Sequence, residues 1–134
     1  MVSACALPRC RVLVTDDDAS IRLLVAAVLR RAHYDVDTAA NGVEALRKSE
    51  STFYDVIVLD LMMPMLSGFE VLRQLKCRES KPRFVVVMSA GSQSQLDSVA
   101  GANVFATMRK PFEIDAITAA VGACAGRVCP HAKS

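Results

Sequence analysis

The chain has 134 residues, a length that predicts one domain with a core large enough to fold without disulfides or metal staples. Apolar residues make up 52% of the sequence, which favours a globular fold over disorder. A net charge of +2 without a basic run argues against nucleic-acid binding, and no apolar stretch reaches the roughly 20 residues that span a bilayer. Because the short apolar N-terminus has no charged segment ahead of it, we expect no signal peptide and a cytoplasmic protein that binds neither nucleic acid nor membranes.

Strand-like and helix-like patterns alternate five times along the chain. Short apolar segments predict strands over residues 12–15, 34–38, 55–60, 84–88 and 104–108. Helix-start signals precede the second and third helices, where Asn41 and Ser67 are each followed three residues later by glutamate. Ser92 and Gln95 start a short fourth helix, and a last helix presents an apolar stripe of Ile114, Ile117, Val121 and Cys124. Five such βα units predict a single α/β domain over 10–125, with a parallel sheet between two helical layers and tails at 1–9 and 126–134.

Polar side chains stand where four of the predicted strands end. Asp16 and Asp17 follow the first strand, Asp60 ends the third, Ser89 follows the fourth and Lys110 follows the fifth. Because the carboxyl ends of parallel strands meet at one edge of a sheet, we expect these side chains to share a pocket.

The three acids of this pocket predict a divalent metal site. Like charges so close raise each other's pKa unless a cation neutralises them, and Mg²⁺ (or Mn²⁺) suits carboxylate oxygens. Asp16, Asp17 and Asp60 are the predicted ligands, together with the backbone carbonyl of Met62 just past the strand. The alternative for acids after a strand is helix N-capping, and we assign that role to Asp18.

Asp60 is a candidate nucleophile. Met63 and Pro64 turn the chain away and Gly68 allows a close backbone approach, so the Asp60 carboxylate points outward. Aspartate nucleophiles form acyl phosphates in some phosphoryl-transfer proteins, by positioning and charge neutralisation. Lys110 would neutralise one side of the phosphoryl group and Ser89 would donate a hydrogen bond to it. Each of these residues also has a simpler interpretation when it is considered alone. Lys110 would be a solvated surface lysine, and Asp60 and Ser89 would be helix caps.

Four sequence stretches carry a resemblance to a known family. VLVTDDDASIR, DVIVLDLMMPMLSGFEVLRQLK, VVVMSA and RKPF, spread from about residue 10 to 124, resemble response-regulator receiver domains of the chemotaxis-regulator (CheY-like) type. The resemblance implies a flavodoxin-like, doubly wound, five-stranded parallel sheet of order 2-1-3-4-5 with five helices, the order that is already known for this family.

The resemblance also implies a function in two-component signalling. A histidine kinase or histidine phosphotransfer protein would donate a phosphoryl group to Asp60, with Asp17 binding Mg²⁺ directly and Asp16 largely through water. Ser89 and Lys110 would contact the phosphoryl oxygens, and the Lys110–Pro111 peptide would be cis. Phosphorylation would draw Ser89 inward and rearrange the surface of the fourth helix, fifth strand and fifth helix for a downstream protein. The chain would then be a stand-alone switch that assists its own phosphorylation and dephosphorylation, and not a conventional enzyme.

Two positions depart from the family pattern. Thr107 stands three residues before Lys110, where receivers usually carry an aromatic residue. Phe105 lies two residues earlier, on the face of Thr107 by strand alternation, so either residue is a candidate for the switch position. Either the fourth helix is short and the fifth strand starts early, or the aromatic coupling is altered. Met62 follows Asp60 by two residues, and because a thioether cannot orient an attacking water, we expect slow self-dephosphorylation.

Other functions remain as alternatives. The chain could instead be a pseudo-receiver or interaction module that uses the fold without phosphorylation, or a receiver fragment of a longer regulator. An aspartyl-phosphate phosphatase would need an acid where Met62 stands. A flavin protein would need a phosphate-cradling loop where Asp16, Asp17 and Asp18 would repel phosphate.

The five cysteines do not suit a closed disulfide framework. Cys5 and Cys10 have the same spacing as Cys124 and Cys129, and His131 follows closely. The cysteines either belong to two frayed tails, with one further cysteine in a helix, or the tail residues form a small metal or redox site that joins the tails.

Overall fold

The computed structural model describes residues 9–78, 82, 84–99 and 104–128. The strands are β1 (Arg11–Thr15), β2 (Asp35–Ala39), β3 (Val56–Asp60), β4 (Phe84–Ser89) and β5 (Val104–Arg109). The helices are α1 (Ala19–Arg31), α2 (Gly42–Ser51), α3 (Gly68–Lys76), α4 (Gln93–Val99) and α5 (Ile114–Val128). Every predicted strand and helix is present in the predicted order, and α5 continues past the predicted domain limit at residue 125.

The five strands form one parallel sheet in the order β2-β1-β3-β4-β5. This confirms the flavodoxin-like, single-domain α/β fold. One face of the sheet packs against α1 and α5, and the other packs against α2, α3 and α4. Every residue of β3 is buried, as its continuous apolar sequence predicted for a central strand. Within the described ranges, every helix is too short or too polar to cross a membrane.

Local side-chain bonds explain where the helices begin. Asn41 Oδ1 accepts a hydrogen bond from the Glu44 N–H at 2.8 Å, while Glu44 Oε1 accepts one from the Ala40 N–H at 2.7 Å. Ser92 and Gln95 exchange the two bonds of a full capping box at α4. The start of each of these two helices is therefore encoded within a few residues of sequence.

The capping box at α3 is only half formed. The Ser67 hydroxyl accepts a hydrogen bond from the Glu70 N–H at 3.3 Å, as predicted. The Glu70 carboxylate turns away from the helix start and accepts bonds from Arg73 and Gln74. An arginine one turn along the helix thus competes with the backbone for this carboxylate.

A β-bulge in β5 corrects the prediction made for Phe105. Val85 pairs with Val104 and Val86 pairs with Ala106, so Phe105 is an extra residue in β5. Phe105 consequently packs on the same core as Ala106, the one beneath α1 and α5. The prediction that Phe105 shares the face of Thr107 was wrong, because the bulge interrupts strand alternation.

Contacts of the Phe105 ring place it away from the strand ends where the acids lie. Its ring meets that of Phe84, the first residue of β4, edge to face with centroids 5.4 Å apart. The Arg127 guanidinium carbon lies 5.0 Å from the centre of the Phe105 ring. Phe84 begins its strand, so these contacts stand at the opposite end of β4 from Ser89. The Phe105 ring therefore lies away from the cluster of strand-end acids.

Cys10 and Cys124 are buried in the core beneath α1 and α5. This confirms Cys124 in the predicted apolar stripe of the last helix, and the alternative of frayed tails was wrong for both residues. Burial raises the pKa of the Cys124 thiol to about 11, as expected of an unreactive structural cysteine. Cys5, Cys129 and His131 lie outside the described residues, and with them the predicted site that would join the tails.

Candidate functional site

The strand ends bring the three predicted acids together. Asp16 and Asp17 directly follow β1, and Asp60 is the last residue of β3. One carboxylate oxygen from each of the three lies within 4.8 Å of the others. Asp16 and Asp60 are buried, with 0% and 2% of their surface exposed, whereas Asp17 is exposed. The cluster therefore has a buried floor of two acids and one acid open to solvent.

Lys110 supplies the positive charge at this cluster. Its Nζ lies 2.8 Å from Asp16 Oδ2 and 3.3 Å from Asp60 Oδ2. Its backbone N–H donates to the Ser89 carbonyl at 2.8 Å, which fixes the end of β5 beside the end of β4. The Lys110–Pro111 peptide is cis, as the resemblance implied.

Ser89 is buried at the same edge of the sheet, next to Met88, which pairs with Asp60 across β3 and β4. Its hydroxyl accepts a hydrogen bond from the Gly91 N–H at 2.9 Å. The first residues of the loop between β4 and α4 are thus tied to the Ser89 side chain. A group that engaged this hydroxyl would act directly on that loop.

The charges in this cluster shift the pKa values of Asp60 and Lys110. Burial, followed by the charge of Asp16, raises the pKa of Asp60 to about 6, against the opposing effects of Lys110 and the Met62 N–H. Burial disfavours the charged form of Lys110, but the hydrogen bonds and charges of Asp16 and Asp60 outweigh it and raise the pKa of the lysine. Three carboxylates facing one ammonium group leave an excess of negative charge.

This donor set fits a hard divalent cation. The three carboxylates are of the type that Mg²⁺ prefers, and the single lysine leaves their charge only partly neutralised. The Met62 N–H donates to Asp60 Oδ1 at 3.1 Å, which holds the residue after the strand against the carboxylate. The role of the Met62 carbonyl as a ligand stays a prediction.

Arg22 is a supporting residue that the sequence did not reveal. Its Nη1 donates to the Asp16 carbonyl at 2.9 Å, and the Asp18 N–H donates to Asp16 Oδ1 at 2.9 Å. Asp18 in turn caps α1 by accepting from the Ser20 and Ile21 N–H groups, which confirms its predicted role. Both bonds to Asp16 hold the loop that carries the acid pair. The sequence indicated this role only by a basic residue one turn into α1. Many surface arginines occupy such a position without supporting a site.

Gly68 provides the space that α3 needs beside Asp60. A Cβ at this position would lie 2.4 Å from the Asp60 carbonyl oxygen and 2.6 Å from Leu61 Cα. We expect Gly68→Ala to destabilise the protein by on the order of 3 kcal/mol, because backbone and not a side chain would have to move. Gly126→Ala is the matched control, since a Cβ there meets nothing within 4 Å and alanine favours the helix by about 1 kcal/mol. Urea unfolding would measure both, and equal stability of the two variants would contradict the expectation.

A doubly wound parallel sheet with an acid triad, a lysine and a hydroxyl at its strand ends is the architecture of signalling receiver domains. The chain belongs to the response regulator receiver domain family, whose model matches residues 12–122. The resemblance stated from the sequence is therefore confirmed, and the chain is a receiver domain of the two-component signalling systems.

Characterised relatives share the domain. The alkaline phosphatase synthesis transcriptional regulatory protein PhoP of Bacillus subtilis is 42% identical over 115 residues, which cover 84% of this chain and 47% of that protein. Response regulator ArlR of Staphylococcus aureus is 32% identical, with 84% of this chain and 51% of that protein covered. The chain thus spans about half the length of the curated relatives it matches.

Solved structures of receiver domains superpose over nearly their full length. The receiver domain of Francisella response regulator 1452 has a TM-score of 0.82 and 30% identity, covering 90% of this chain and 99% of that one. The response regulator TrrA of Thermotoga maritima, solved in complex with Mg²⁺ and BeF, has a TM-score of 0.74 and 33% identity, covering 86% and 98%.

Proposed function

We propose that this receiver accepts a phosphoryl group from a phosphohistidine onto Asp60. The observation that carries the proposal is the position of Asp60, a buried strand-end carboxylate whose neighbours are two further acids within 4.8 Å and the Lys110 ammonium at 3.3 Å. A histidine kinase or histidine phosphotransfer protein is the proposed donor, in keeping with the family. The complete set of acids, Ser89 and Lys110 favours this function over a pseudo-receiver that never takes up phosphate.

The transfer breaks one bond and forms one. A carboxylate oxygen of Asp60 attacks phosphorus, the bond from phosphorus to the histidine nitrogen breaks, and the nitrogen keeps the electron pair and takes a proton. The product is an acyl phosphate on Asp60. Lys110 already contacts the carboxylate at 3.3 Å and would stabilise negative charge on the phosphoryl oxygens. The chain would thus supply its own nucleophile and be consumed as acceptor, so it is not a conventional enzyme.

Asp16, Asp17 and Asp60, with the carbonyl of Met62, are the residues proposed to hold the divalent cation. When bound, Mg²⁺ (or Mn²⁺) supplies positive charge that offsets the acids and the incoming phosphoryl oxygens. The Thermotoga maritima relative was solved in complex with Mg²⁺ and BeF, which supports this assignment by similarity.

The proposed output passes through Ser89. A hydrogen bond donated by its hydroxyl to the phosphoryl group would draw the side chain inward and so weaken the bond that Ser89 now accepts from the Gly91 N–H. The Gly91 carbonyl is also held by Arg109 Nε at 3.2 Å, so the loop before α4 is linked to the end of β5. Movement of this loop would change the surface of α4, β5 and α5 for a downstream protein.

The relatives bear on how the whole protein works. PhoP and ArlR are each about twice as long as the segment that matches, and PhoP is named as a transcriptional regulatory protein. We propose that the receiver acts through protein contacts and not by touching nucleic acid, because its net charge is +2 and it has no basic run. Action as a stand-alone switch and action as the receiver part of a longer regulator both use the same site.

Phosphorylation of Asp60 is tested with a small-molecule donor. Acetyl phosphate and Mg²⁺ should add one phosphoryl group to the wild-type chain and none to Asp60→Ala, measured by intact-protein mass spectrometry. Asp35→Ala is the matched control, because Asp35 lies at the start of β2 and pairs with Arg9 away from the site. Retained modification in Asp60→Ala, or its loss in Asp35→Ala, would reject the assignment.

A further inference from the structure

The exposed methionines of the described residues lie on one loop beside the proposed phosphorylation site. In the segment between β3 and α3, 48% of Met62 and 81% of Met65 is exposed. Met63 in the same loop and Met88 in β4 are buried, with 8% and 0% exposed, and Met108 is partly buried. Oxidants dissolved in water therefore have access to two methionine residues, both close in sequence to Asp60.

Met62 is the one of these two that the structure ties to Asp60. Its backbone N–H donates to Asp60 Oδ1 at 3.1 Å, while nearly half of the residue stays open to solvent. Asp60 itself is only 2% exposed, so a water that attacks a phosphoryl group on this carboxylate must arrive from the open side of the site. A thioether is a weak hydrogen-bond acceptor, and Met62 as it stands offers such a water little to bind.

We propose that Met62 is an oxidation site, and that conversion of its side chain to the sulfoxide shortens the lifetime of phosphorylated Asp60. The inference rests on the proposed function. The oxidant is a peroxide: one oxygen atom passes to the Met62 sulfur, which loses two electrons, and the remainder of hydrogen peroxide leaves as water. Methionine sulfoxide reductases reverse the change, one enzyme for each sulfoxide epimer.

The effect follows from the polarity of the new group. The sulfoxide oxygen accepts hydrogen bonds well, so it holds a water at the mouth of the site and directs it towards phosphorus. We expect the oxidised receiver to lose its phosphoryl group about fivefold faster, the factor that one additional hydrogen bond supplies. We expect oxidation of Met65 to leave this rate unchanged, because Met65 stands three residues further along the loop than Met62, whose backbone contacts the Asp60 carboxylate.

The experiment follows decay of the phosphorylated full chain. The protein is treated with hydrogen peroxide, then with a thiol reductant that restores reversibly oxidised cysteines such as the exposed Cys77, and peptide mass spectrometry locates the sulfoxides. Treated and untreated samples are phosphorylated with acetyl phosphate and Mg²⁺, freed of donor, and their decay is timed. We expect faster decay in the treated wild type and in treated Met65→Leu. Treated Met62→Leu should keep its own untreated rate, and Met62→Gln, with an amide acceptor, should decay fast without peroxide.

Several outcomes would overturn the inference. Unchanged decay in wild type whose Met62 is fully oxidised would do so, as would loss of the response in Met65→Leu. Met62 that stays reduced while Met65 is oxidised would also do so. Treatment of the oxidised wild type with methionine sulfoxide reductases tests the inference without any substitution. Return of slow decay supports the inference, and persistent fast decay contradicts it. Untreated wild type that takes up no phosphoryl group would instead reject the proposed function itself.

Discussion

Asp60→Asn is expected to stabilise the metal-free protein at about pH 7.5 by on the order of 1–3 kcal/mol. Burial and the neighbouring Asp16 raise the pKa of Asp60 to about 6 from its usual 3.8, which means that the folded protein holds the ionised carboxylate at a cost. Asparagine has nearly the same shape and no charge, so it removes that cost. The same substitution removes the nucleophile, and we expect no phosphoryl uptake by the variant.

The gain should depend on pH in a defined direction. Between about pH 4 and 6 the folded wild type binds more protons than the unfolded chain, so its stability falls as pH rises through this window and the full penalty applies above it. The difference between variant and wild type should therefore shrink as the pH is lowered from about 7.5 to about 5. Urea unfolding with a chelator would measure it. A variant that is less stable at the higher pH, or a gap that does not change with pH, would contradict the expectation.

Much of the site could be predicted because its parts obey local rules. The apolar run of β3 marks a central strand, and a residue that ends such a strand must lie at the carboxyl edge of the sheet. Asp16, Asp60 and Lys110 each follow this rule. To predict that they converge, it was enough to know that the strands are parallel. Asp18 was assignable as a cap because the bonds that define it lie within three residues.

The rest depended on partners that are distant in sequence. The bulge at Phe105 is set by how β5 pairs with β4, and the ring of Phe105 is held by Phe84 and Arg127 from two other elements. No pattern within β5 announces such an insertion. Arg22 likewise gains its role only because its side chain reaches the Asp16 carbonyl. Side-chain reach and strand register are tertiary properties, and periodicity along one segment does not contain them.

Lys110→Met is expected to destabilise the metal-free protein by about 3 kcal/mol. Methionine keeps much of the length of the lysine side chain but removes the ammonium group that lies 2.8 Å from Asp16 and 3.3 Å from Asp60. Both acids are buried, so the variant would hold two carboxylates of like charge without their neutralising partner. Lys76→Met, at the exposed end of α3, is the control and should change stability by no more than about 0.5 kcal/mol.

Magnesium should separate this loss of charge balance from a simple loss of packing. Anything that binds the folded state alone stabilises it, and the cation would bind where the carboxylates have lost their ammonium partner. We therefore expect Mg²⁺ to raise the free energy of unfolding of Lys110→Met by more than it raises that of the wild type. Urea unfolding across a magnesium titration gives both slopes. Equal slopes, or a Lys110→Met variant as stable as the wild type without metal, would show that Lys110 does not balance the acids in the way its contacts indicate.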